Sequence, residues 1–99
     1  MRQKHEVKTK AAYITGLVKV GGLQDRVQPP DATITAKYEE RVTSDTVPCG
    51  KAARPYFLVV FPGECRLTAE VGGVISDTQV IKLEPGETAE IDFYFGKLE

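Results

Sequence analysis

Most of the chemistry this 99-residue chain could offer rests on one histidine, two cysteines and a scatter of carboxylates. His5 lies among Arg2, Lys4, Lys8 and Lys10 in a basic N-terminal stretch. Nucleophilic catalysis needs an imidazole held beside a serine or cysteine by a third group, and a terminal arm holds nothing in place. Glu64 and Glu87 each follow a Pro-Gly turn, which would bring two carboxyl groups to one end of the fold. A catalytic carboxyl needs its pKa moved by burial or by a neighbouring charge, so these two read as solvated turn residues. Asp25, Asp31, Asp45 and Asp77 fall in predicted loops or strand edges without the close Asp-x-Asp spacing of a calcium loop, and read as surface acids. Two thiols and a distant histidine fall short of the four ligands of a structural zinc. The expectation is a protein with no catalytic residues, no metal and no cofactor.

Cys49 and Cys65 leave two readings open. A bridge between them would close a loop of about 17 residues and stabilise by roughly 3 kcal/mol. The preferred alternative is a buried thiol at Cys65, in phase with Leu67, Ala69 and Val71, and an exposed one at Cys49, between Pro48 and Gly50. Gly21-Gly22 and Gly72-Gly73 are turns rather than phosphate loops, because no helix follows to present its N-terminus.

The length suits one domain, and 41% apolar residues can build a core without disulfides or metal. The formal charge of −1 argues against a nucleic-acid or acidic-membrane partner. No run approaches the roughly 18 apolar residues of a spanning helix, and Ala11–Val20, interrupted by Lys19, makes no signal peptide. The expected organisation is a flexible basic arm over 1–10, one β domain over 11–96, and a tail over 97–99 in which Leu98-Glu99 resembles a vector junction. N-glycosylation is excluded by the absence of Asn from the chain.

Seven strands are expected, over 12–20, 33–40, 42–47, 56–61, 65–71, 78–83 and 88–95, separated by Gly and Pro turns. The strongest signal is Pro62-Gly63-Glu64 followed by Cys65, Leu67, Ala69 and Val71 facing one way, with Arg66, Thr68 and Glu70 facing the other. Pro85-Gly86 repeats the device ahead of Ala89, Ile91, Phe93 and Phe95. This period of two excludes a helix. The continuous apolar run Tyr56–Phe61 predicts a central strand covered on both faces. Short connections predict antiparallel pairing throughout. The fold expected is an all-β, seven-stranded antiparallel Greek-key sandwich, transthyretin-like or immunoglobulin-like.

Ile14-Thr15-Gly16-Leu17-Val18, Pro30-Asp31-Ala32-Thr33-Ile34, Phe61-Pro62-Gly63-Glu64-Cys65-Arg66-Leu67 and Ile91-Asp92-Phe93-Tyr94-Phe95, in that order, resemble the carboxypeptidase-regulatory-like modules. These are small transthyretin-like (prealbumin-like) β-sandwiches, and the resemblance spans about residues 12–95. The chain departs from the pattern at Cys65, where the family commonly has Tyr, and in lacking an Asp-Gly turn before the central strand. The resemblance implies a non-catalytic accessory module of a larger secreted or cell-envelope protein. Purine-breakdown hydrolases of related fold carry several histidines and a C-terminal Tyr-Arg-Gly-Ser, which Tyr94-Phe95-Gly96-Lys97 does not match. Intradiol dioxygenases need two tyrosines and two histidines. A Lys19–Asp92 isopeptide, as in the related collagen-adhesin B-type modules, is disfavoured because both residues fall on the polar phase of their strands.

The function expected is therefore an accessory or protein-interaction module, extracellular or in the envelope, with an unidentified protein or polysaccharide partner. Carbohydrate binding is the alternative, with Tyr13 and Tyr94 on outward phases as its ligand face. The isolated domain is expected to be monomeric, since Thr9, Lys10 and Lys19 charge the first-strand edge against strand addition.

Overall fold

The computed structural model describes residues 10–21 and 29–97, without the side chains of Lys51 and Lys97. His5, Thr9 and Asp25, the expected arm up to residue 9 and the last two residues of the expected tail lie outside them.

The described residues are all-β, with one 3₁₀ turn among them at Gly50–Ala52. Its strands are β1 (Ala12–Gly16), β2 (Val18–Gly21), β3 (Ala32–Tyr38), β4 (Arg41–Val47), β5 (Tyr56–Val60), β6 (Gly63–Val71), β7 (Val74–Ile75), β8 (Gln79–Leu83), β9 (Thr88–Glu90) and β10 (Phe93–Lys97). One sheet runs β4-β3-β6 and continues with β7 and β8, which pair with successive stretches of β6. The other side of the molecule carries β5-β1-β9 and, beyond a short break, β2-β10. Alternation drives the layering. Ile34, Leu67 and Val71 from the first sheet and Ile14, Tyr56, Leu58 and Phe93 from the second are buried in one shared core. Two sheets meeting through alternating inward residues give a sandwich-like architecture. Truncating a filled position such as Leu67 to Ala would remove about 2–5 kcal/mol.

Three expectations are corrected. β5 is not central: it forms an edge of its sheet, with Tyr56, Leu58 and Val60 buried and Phe57 and Val59 exposed. An apolar run carries no phase, so periodicity could not reveal which side faces water. β1 is not an edge, because β5 and β9 flank it. Lys10, next to β1, therefore guards no free edge there, whereas Lys19 lies on β2, which pairs with β10 alone. Pairing is not antiparallel throughout, since β1 with β9 and β2 with β10 run parallel. A parallel pair needs a long connection, and here the rest of the domain supplies it in place of a crossover helix.

The break in that parallel pair is spanned by two backbone bonds, from the Ile91 N–H to the Thr15 carbonyl at 2.8 Å and from the Phe93 N–H to the Leu17 carbonyl at 2.9 Å, and side chains complete it. Leu17 donates its backbone N–H to Asp92 Oδ1 at 2.8 Å, and Tyr56 donates its hydroxyl to the Ile91 carbonyl oxygen. Asp45 lies in β4, within the strand expected over 42–47, and accepts from the Phe57 N–H at 2.9 Å. That contact occupies a donor on the exposed edge of β5, where unpaired groups invite strand addition.

Candidate functional site

Cys49 and Cys65 are not bridged, and both are buried. Cys49 was expected to be exposed. Instead its thiol donates to the Pro30 carbonyl oxygen at 3.1 Å, so the irregular loop is tucked against the entry to β3. Register explains the missing bridge. Val47, two residues before Cys49, lies opposite Ala32, which in turn lies opposite Val71. Cys65 is six positions further along β6, about 20 Å of extended strand, whereas a disulfide needs Cα atoms within about 7 Å. Burial raises both thiol pKa values, and at Cys49 the negative charge of Asp31 adds to it.

The two tyrosines proposed as one ligand face are not brought together. Tyr13 is half-buried and stacks on Phe57, with ring centroids 5.5 Å apart. Tyr94 is 74% exposed and lies opposite Lys19. Lys19 is six positions from Tyr13 along the first strand run, again about 20 Å. Glu64 and Glu87 do not pair for acid–base work. Glu64 sits opposite Lys82, while Glu87 Oε1 accepts from the Glu84 N–H at 2.8 Å and closes its own turn. Asp31 and Asp77 are exposed, and no cluster of metal-binding side chains forms among the described residues. Lys19 is exposed opposite Tyr94, while Asp92, exposed as well, is engaged with the Leu17 N–H. The desolvation that an isopeptide requires is missing.

What the fold does assemble is a hollow of about 770 Å³ at one end of the five-stranded sheet, lined by Lys37, Tyr38, Glu39, Phe61, Glu64 and Arg66 with the Pro62-Gly63 turn. Two short connections build it. Tyr38 pairs with Arg41, so Glu39-Glu40 make a two-residue hairpin loop, and Glu39 adopts φ 54°. Between β5 and β6, Pro62 and Gly63 (φ 119°) reverse the chain. These two corners project Tyr38 and Phe61 toward each other edge to face, with centroids 5.9 Å apart and planes at 90°. The Arg41 guanidinium sits over the Phe61 ring, 4.5 Å from its centre, a cation–π contact worth about 0.5–1 kcal/mol at an exposed site.

Phe61 remains 46% exposed in this arrangement. A large ring held by two neighbours yet open to water is a preorganised contact surface, because its rotamer entropy is already spent. Glu39 adds to the case. A non-glycine residue in the left-handed region is uncommon, and such strain gathers at binding and catalytic sites. Sequence reasoning passed over this site. The loop Glu39-Glu40 contains no Gly or Asn to mark it, and Phe61 looked like the end of a covered strand. The one available signal was the Pro-Gly turn beside an aromatic.

The fold thus defines the class: an all-β, sandwich-like domain with an open aromatic and cationic hollow at the strand ends. No protein-family model matches the chain, and no curated protein matches it. No helix among the described residues is long and apolar enough to cross a membrane.

Proposed function

We propose that this chain is a non-catalytic binding module, an accessory or interaction domain of a larger secreted or cell-envelope protein. The observation that carries the reading is Phe61, held between Tyr38 and Arg41 and still open to solvent above a concave surface. Concave surfaces with a few convergent polar groups are the usual form of ligand sites. The resemblance to transthyretin-like modules supports the same reading. Joining β1 with β2, β7 with β8 and β9 with β10 across their short breaks gives seven strands among the described residues, and β6 returns to lie beside β3, with β7 and β8 on its other side. That return is consistent with a Greek-key sandwich.

The carbohydrate alternative moves with the aromatic surface. Tyr13 and Tyr94 are too far apart to hold one short saccharide, so the hollow around Phe61 becomes its place. The isolated domain is monomeric in this reading, which size-exclusion chromatography at millimolar concentration checks.

The test is a titration of the ¹⁵N-labelled domain with three panels: neutral oligosaccharides, acidic oligosaccharides and peptides. A ligand from one panel should shift the amides of residues 37–39 and 61–66, and Phe61→Ala should weaken its binding by roughly tenfold, as truncation of a central aromatic contact does. Silence of those amides with all three panels would sink the reading.

A further inference from the structure

The outer face of the five-stranded sheet carries an arrangement that sheet stability disfavours. Lys37 on β3 and Arg66 on β6 are directly opposite each other. Such partners have Cβ atoms about 4.5–5.5 Å apart, and like charges in that position destabilise a sheet. The rung they occupy offers no relief: Lys37 faces Val42 on its other side, and Arg66 faces Val80. Both valines are exposed. Neither cation makes an ion pair among the described residues. The carboxylates at this end include Glu64, opposite Lys82 on the next rung, and Glu39 and Glu40 in the hairpin loop.

Lys37 and Arg66 line both the aromatic hollow and a second one of about 390 Å³, shared with Thr68, Thr78 and Val80. The neighbouring rung places Ser44, Thr35 and Thr68 side by side across three strands. Two adjacent cations bordered by hydroxyl groups form a receptor for an oxyanion, since charge-assisted hydrogen bonds from Arg and Lys are the strong ones.

We propose that Lys37 and Arg66 form an oxyanion subsite, and that its ligand is a carboxylated or sulfated saccharide. The inference rests on the reading of the Phe61 hollow as a binding surface, which these two residues help to line. Two features select a saccharide. First, Ser and Thr hydroxyls both donate and accept, as sugar hydroxyls do. Second, an extended peptide is usually captured by main-chain pairing at a sheet edge. β3 is paired with β4 and β6, and β6 with β3 and β8, so the two strands that carry the cations have no edge to offer, the sheet's edges lying one strand away at β4 and β8. The net charge of −1 supplies no long-range field for a nucleic acid, so the pair acts on a discrete acidic group.

The experiment compares binding of a hexuronate trisaccharide, a sulfated disaccharide, the neutral parents of both and a Glu-rich peptide. It uses the full chain, the Lys37→Gln/Arg66→Gln double variant, and Lys19→Gln, which removes a positive charge from the other sheet. At least one acidic saccharide should bind more tightly than its neutral parent, with affinity falling as salt rises. The double variant should lose roughly tenfold or more of that affinity, and Lys19→Gln should keep it. The double variant should also melt at or above the wild-type temperature, because it removes a juxtaposed like-charge pair. Equal binding of the neutral parent, unchanged affinity in the double variant, preference for the acidic peptide, or a lower melting temperature would each overturn the proposal. A saccharide that shifts Phe61 but ignores the double variant would overturn the oxyanion subsite alone and leave the hollow as the binding surface.

Discussion

The Tyr56 hydroxyl and the Ile91 carbonyl oxygen, 35 residues apart in the chain, are hydrogen-bonded inside the core. Ile91 lies at the break between β9 and β10, where the parallel ladder lapses. Tyr56 is fully buried, and its hydroxyl gives a carbonyl at that break a partner.

Removing the hydroxyl should therefore cost more than an exposed tyrosine would. Tyr56→Phe is expected to lower unfolding free energy by about 1–3 kcal/mol, because the carbonyl loses its donor. Urea denaturation measures it. The pH dependence follows from the same contact. Burial, and secondarily the negative charge of Asp92, push the Tyr56 pKa well above its ordinary value. In strong alkali the folded state therefore keeps a proton that the unfolded state has lost. This contribution is fully present below about pH 10 and declines as pH rises further. The stability gap between wild type and Tyr56→Phe should narrow above pH 10, and a constant gap would contradict the assignment.

Gly16 lies opposite Tyr56 and against the Ile91 backbone. A Cβ there would overlap the Ile91 carbonyl, which is main chain and has no rotamer to escape into. Gly16→Ala is expected to destabilise by about 1–3 kcal/mol or more. Its amide spectrum should change along β9 and β10 as the parallel pair is forced apart. A melting temperature equal to wild type would refute the close approach.

Both cysteines should behave as protected thiols. With burial raising their pKa values, the thiolate is scarce and shielded. A thiol reagent at pH 8 should react slowly with the native protein and rapidly, with two equivalents, in denaturant without reductant. Failure to find two thiols under those conditions would indicate a bridge and a register different from the one described.

Glu39 carries a left-handed backbone that a side chain with a Cβ disfavours by about 1–2 kcal/mol. Glycine relieves this but gains entropy in the unfolded chain, worth about 0.4–1 kcal/mol in the opposite direction. Glu39→Gly should therefore stabilise by about 0.5–1 kcal/mol in thermal or chemical denaturation. A destabilised variant would mean that the Glu39 side chain holds the hairpin.

Much of the fold was legible in the residues, because local rules govern it. Side chains alternate across a strand by covalent geometry, so Cys65, Leu67, Ala69 and Val71 announced their buried face and Phe93 and Phe95 theirs. Gly72-Gly73, both with positive φ, turn β6 into β7 as a two-residue hairpin loop demands. Sequence alone thus determined an all-β chain, the approximate spans of its longer strands though not β7 or the breaks between β1 and β2 and between β9 and β10, and the inward phase of its most regular strands. What it left undecided is non-local. Which strand is an edge, the parallel pairing of first and last strands, and the separation of Cys49 from Cys65 are set by register between segments far apart in the chain. The hollow has the same origin. Phe61, Tyr38 and Arg41 share no periodicity, and Lys37 and Arg66 are 29 positions apart. Only the closing of the β3–β4 and β5–β6 corners at one end of the sandwich makes them neighbours.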